Sequence, residues 1–182
     1  TLVAHLLRQI LEDDPMAQIL VTAKDHAAVD VLLDKVVRQA YQAVQEDQHP
    51  LAIRLNRRDG NDHARELVDK LVQTAIETIR NQKQETVTSA PQHRWYEQLK
   101  QLEVSRAEDS VISVETQRVS NALLDLVRRG ASITYCTTSS GDLEELAKGA
   151  HSFDWSIIEE AGKAHGFDLA LPLQAGHRWL LL

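Results

Sequence analysis

Residues 152–166 read SFDWSIIEEAGKAHG, and the fold turns on this stretch. Two β-branched residues, Ile157 and Ile158, run into two adjacent carboxylates, Glu159 and Glu160, and then into small residues. A short, continuous run of this kind predicts a strand buried on both faces of a parallel sheet. Ligands of such sheets sit at the carboxyl ends of the strands, which is where the two acids fall. One carboxylate there suits Mg²⁺, an ion that prefers oxygen ligands and keeps much of its water. The other suits orienting or deprotonating a water that attacks a γ-phosphate. A cation between them would remove their mutual repulsion. The bland reading is a strand that has ended in two solvated glutamates, and the pair alone leaves both readings open.

The neighbouring sequence supplies the rest of a strand–helix alternation. Leu2, Leu6, Leu7 and Ile10 recur at helical spacing until EDDP at 12–15 stops them. AQILVTA at 17–23 predicts a buried strand, and Asp25 stands at the cap position of a helix carrying Val29, Leu32, Leu33, Val36 and Val37. LAIRLNR at 51–57 is a second strand candidate and ASITYCTT at 131–138 a third. GDLEELAKG at 141–149 predicts a short helix with Gly149 as its stop. FDLALPLQAG at 167–176 is helical or irregular, and HRWLLL at 177–182 is a last strand. Thr22, Thr137, Thr138, Glu159 and Glu160 all fall at strand ends. The predicted class is α/β, a parallel sheet with helices on both faces.

Residues 61–129 differ in character, being rich in Gln, Glu and Arg with repeated helical stripes. The expected organisation is therefore a core formed by 1–60 and 130–182, with 61–129 as a mainly helical insertion. The chain starts at Thr1 inside an amphipathic pattern and stops on an apolar run, which predicts an internal piece of a larger protein.

Composition narrows the classes. The chain has 182 residues, 43% of them hydrophobic, and a formal net charge of −7, so nucleic-acid binding would need a local basic patch. The single cysteine, Cys136, rules out an internal disulfide or a cysteine zinc cluster and predicts a reducing, intracellular setting. No apolar run approaches the roughly 18 residues of a membrane span, so no membrane partner is expected. The eight histidines show no pair at metal-ligand spacing on one element. Trp155 and Trp179 on strand candidates, and Cys136 on another, read as core residues.

The segment SIIEEAGKAHGFDLALPLQAGHRWLLL resembles the Walker B motif of superfamily-one helicases, in the group that includes the nonsense-mediated-decay RNA helicase. In that group the strand ends in Asp-Glu-Ala or Asp-Glu-Ser, followed by small residues and Gln. QILVTAKDHAAVDVLLDKV is similar to the family's Ia segment, LAIRLNRR matches the strand that follows it, and GASITYCTTSS resembles the Ic segment with its paired threonines. Order and approximate spacing agree for all four, over about two thirds of the chain. Three departures stand out: Glu159 where the family has Asp, Lys163 where it has Gln, and AKDH where it has Ala-Pro-Ser-Asn. No G-x-x-x-x-G-K-[ST] phosphate loop occurs in the 182 residues; in the family it would lie just before the first helix.

The resemblance implies an incomplete RecA-like P-loop NTPase core and an ATP-dependent helicase or translocase acting on single-stranded DNA or RNA. ATP and Mg²⁺ are the implied ligands, with Glu159 holding Mg²⁺ through water and Glu160 activating water. Thr22, Lys24, Asp25, His26, Thr137, Thr138 and Ser139 are the implied contacts to the strand's backbone. Lys24, Arg54, Arg57 and Arg58 would add positive charge, and a second RecA-like domain of the same parent chain would complete the site. The competing expectation, motivated by Glu159 and Lys163, is a weakly active or inactive RecA-like module serving as a regulatory or docking platform.

Overall fold

A computed structural model describes residues 2–40, 50–55, 66–74, 114–148 and 152–182. Gly149, Arg57, Arg58 and the apolar stripes between 76 and 102 lie outside the described residues. The chain forms two compact units, Thr1–His63 with Arg129–Leu182, and Ala64–Arg128.

The first unit is built on five parallel strands: β1 (Ile19–Ala23), β2 (Ala52–Arg54), β3 (Ile133–Thr137), β4 (Phe153–Ile158) and β5 (Gly176–Leu181). Their order is β2-β3-β1-β4-β5, which puts β1 at the centre. The quoted stretch is β4, and its two acids follow the last strand residue as predicted. Every residue of β1 and of β3 is buried, as continuous apolar runs in a doubly covered sheet must be.

Helices α1 (Leu2–Asp13) and α2 (His26–Ala40) cover one face. Val3, Ala4 and Leu7 of α1 and Val29, Leu32 and Val36 of α2 form one cluster with Ile19, Val21, Ala23, Ile133, Tyr135 and Ile157. Burying each large aliphatic side chain in it contributes about 1.5–3 kcal/mol. Strand alternation turns Leu20, Thr22, Thr134, Cys136, Ser156 and Ile158 to the opposite face, all of them buried. Helix α5 (Gly166–Ala175) packs against β1, β4 and β5, and its buried Pro172 and Ala175 take no part in the first cluster. It lies on that second face, so the fold is α/β with helices on both sides, a RecA-like core. The 167–175 stretch is helical despite Pro172, helped at its start by Asp168, whose carboxylate accepts from His165 N–H at 3.0 Å. Helix α4 (Gly141–Lys148) buries Leu143 and follows β3. Helix α3 (Val114–Gly130) precedes it, and residues 66–74 of the second unit are also helical, with Val68 and Val72 buried. Among the described residues no helix is long and apolar enough to cross a membrane.

Two expectations are corrected. Trp179 is not core: β5 is the outermost strand and the side chain is 54% exposed. Its indole N–H instead donates to the carbonyls of Leu173 (2.8 Å) and Gly176 (2.9 Å), at the end of α5. Trp155 is half-buried, with the Arg178 guanidinium 5.1 Å above its ring. Arg54 supplies no surface charge, because it is fully buried, paired with Asp30 at 3.0 Å and bonded to the Leu55 carbonyl.

Candidate functional site

Strand register brings the candidate residues together at the carboxyl end of the sheet. Ala23 is opposite Thr137, and Thr22 is opposite Ile158. The ladder continues one residue further on each side, with Thr138 N–H donating to Ala23 O (3.0 Å) and Glu159 N–H to Thr22 O (2.8 Å). The segments 24–26, 138–140 and 159–163 therefore emerge together from β1, β3 and β4, the three inner strands.

Glu160 has φ 55° and ψ 34°, the one non-glycine residue with positive φ among those described. This left-handed conformation costs about 1–2 kcal/mol for a residue with a Cβ, so its surroundings must impose it. They do so from two directions. Ala161 N–H donates to Leu182 O (2.8 Å) while Leu182 N–H donates to Ile158 O (3.0 Å), stitching the turn to the end of β5. Behind Glu160, residues Ala161–Lys163 form a single 3₁₀ turn closed by Lys163 N–H to Glu160 O at 2.9 Å.

The charges are paired across this turn. Lys163 Nζ is 2.6 Å from Glu160 Oε1, and its pKa is raised, first by that hydrogen bond and then by the carboxylate's charge. Lys24 Nζ donates to the Lys163 carbonyl at 3.2 Å, linking the loop after β1 to the turn after β4. Glu159 and Glu160 are both half-buried.

The remaining candidates divide by exposure. Lys24, Asp25 and Ser139 are exposed and His26 is half-buried, whereas Thr22, Thr137 and Thr138 are buried. The Thr22 hydroxyl has no hydrogen-bond partner. Asp25 is the N-cap of α2, its Oδ1 accepting from Ala28 N–H at 2.8 Å. His26 Nδ1 lies 2.9 Å from Arg54 Nη2. A guanidinium only donates, so Nδ1 is the acceptor and the ring proton sits on Nε2. The Glu160–Lys163 contact was legible as a three-residue spacing; those of Lys24 with Lys163 and of Arg54 with His26 join distant segments that only the fold brings together.

The donor set fits Mg²⁺ in one respect. Two carboxylates suit an ion held largely by water and substrate phosphates. They do not amount to a protein cage, since no group of three or more His, Cys, Asp or Glu able to hold a metal occurs among the described residues.

A parallel α/β core with paired acids at the end of an inner strand is compatible with a helicase-like P-loop NTPase module, and it is the family match that assigns the chain to that class. The family model described as an AAA domain matches residues 1–182, and the chain belongs to that family, which is of the superfamily-one helicase type. A search among curated proteins gave no match.

Proposed function

We propose that the protein is part of an ATP-dependent helicase or translocase that moves along single-stranded DNA or RNA. The observation that carries this reading is Glu160, held in a left-handed turn at the end of a buried inner strand and next to a second carboxylate. Strained backbone that its surroundings over-determine is characteristic of functional positions.

In this reading Glu160 accepts the proton of the water that attacks the γ-phosphate of ATP, and Glu159 holds Mg²⁺ through water. Bound Mg²⁺ would supply charge neutralisation for the phosphates and for the paired acids. Glu159 has one methylene more than the aspartate of the related motif, so it would hold the ion's water shell through a longer side chain. Lys24, Ser139 and the Nε2–H of His26 make the direct contacts to the sugar-phosphate backbone. Asp25 caps α2 and shapes that loop, while Thr22, Thr137 and Thr138 support the contact surface from beneath. A second RecA-like domain of the parent chain completes the nucleotide site.

Glu160→Gln in the whole protein tests the assignment. Nucleic-acid-stimulated ATP hydrolysis should fall by about 10²–10⁴-fold, the usual contribution of a general base. ATP affinity should stay within a few-fold of wild type. Unchanged turnover would exclude the role. A second reading, a weakly active module serving as a docking platform, draws on the Lys163 ammonium that holds one oxygen of Glu160; wild-type protein with no measurable hydrolysis would favour it.

A further inference from the structure

We propose that Lys163 is a positioning residue that restrains Glu160, and that Lys24 ties this restraint to the loop that meets nucleic acid. The inference rests on the role proposed above for Glu160. Lys163 Nζ lies 2.6 Å from Glu160 Oε1 across a single turn, so one of the two oxygens that could receive a proton from water already accepts from an ammonium. The backbone of the same lysine closes the turn through its N–H, and its carbonyl accepts from Lys24 Nζ at 3.2 Å.

Lys24 is exposed at the mouth of the loop after β1, where a nucleic-acid phosphate would compete for its ammonium. A phosphate is a stronger acceptor for a cation than a neutral carbonyl, because the hydrogen bond is charge-assisted on both sides. Engagement of Lys24 by the strand therefore removes the bond that steadies the Lys163 turn. The restraint on Glu160 is itself releasable: the Lys163 side chain is 71% exposed, and an ion pair so open to water is weak and screened by salt. A bound strand thus frees Glu160 for the reaction, which makes Lys163 a source of coupling between nucleic acid and hydrolysis.

The test uses the whole protein and a single-stranded oligonucleotide. In Lys163→Gln, hydrolysis without the oligonucleotide should rise roughly two- to five-fold, the scale of an exposed ion pair. Stimulation by the oligonucleotide should fall by the same factor, while Lys163→Arg keeps wild-type behaviour. Raising the ionic strength should lift the unstimulated wild-type rate toward that of Lys163→Gln and leave the variant unmoved. Independently of activity, an NMR titration of the lysine side chains should find Lys163 above the ordinary value of 10.5, returning to it in Glu160→Gln. A basal rate in Lys163→Gln that is unchanged or lower overturns the inference, as does an ordinary titration of Lys163 in wild type. If Glu160→Gln is inactive while Lys163→Gln behaves as wild type, this inference alone fails. If Glu160→Gln turns over normally, the proposed function fails with it.

Discussion

Cys136 is the one thiol of the chain and is buried on the inner strand β3. Burial pushes its pKa from 9.0 up to about 12, partly opposed by the buried Arg54 guanidinium and reinforced by Asp142. Well below pH 9 the thiol is protonated in both folded and unfolded chains, so its ionisation leaves stability unaffected there. Between about pH 9 and 12 only the unfolded chain releases the proton, and stability falls as pH rises. Native protein at pH 8 should therefore resist thiol alkylation that goes to completion in denaturant. Cys136→Ala should lose less of its melting temperature between pH 8 and 10.5 than wild type; an equal loss would contradict the assigned burial. The packing role of Cys136 was readable from the apolar run around it. The role of Arg54 was not, because a single arginine at a strand end looks like a solvated charge until Asp30, one helix away in sequence, is seen to face it.

Among the elements, β5 and α5 depend on each other at a single junction. The last carbonyls of a helix have no partner within it, and here the indole N–H of Trp179 reaches back to two of the carbonyls at that end. Trp179→Phe keeps most of the apolar surface and removes the donor, so it should destabilise by about 0.5–1.5 kcal/mol in urea unfolding. Gly176 lies in the same junction for a different reason. A Cβ built on it would come 2.7 Å from Ser156 Cβ and 3.1 Å from Ser156 N, whereas one on Gly162 would meet nothing. Gly176→Ala should cost about 1–3 kcal/mol through forced separation of β4 and β5, and Gly162→Ala should not incur that cost. Equal stabilities would show that the strands are not so closely packed. None of this junction could be read from composition: HRWLLL reads as a buried strand, and only the order of the sheet places it at the edge with Trp179 outward.

For the whole molecule, the order β2-β3-β1-β4-β5 predicts a gradient of protection. Amides of β1, bonded to β3 on one side and β4 on the other, should be the slowest in hydrogen exchange, and those of β2 and β5 the fastest in the sheet. Fast exchange in β1 would argue against its central place. The alternation of strand and helix patterns was enough to predict a parallel, doubly covered sheet. It could not give the order, because parallel strands need crossovers and several orders satisfy the same alternation. The same limit applies to the site: residue types at strand ends named Glu159, Glu160 and the loop after β1, but only register shows that 24–26, 138–140 and 159–163 meet at the carboxyl end of the three inner strands.

The central position of β1 also bears on how the chain reaches this state. Ile19 pairs with Ile133 and Trp155, so the middle of the sheet closes only when segments far apart in the chain meet. The entropic cost of such closure grows slowly, about 0.6 kcal/mol for each doubling of the loop, so residues 64–128 lengthen the path from β2 to β3 at little expense in equilibrium stability. The burden falls on kinetics. A fold dominated by distant contacts assembles slowly, and the apolar strands β1 and β3 remain open to other chains until their partners arrive.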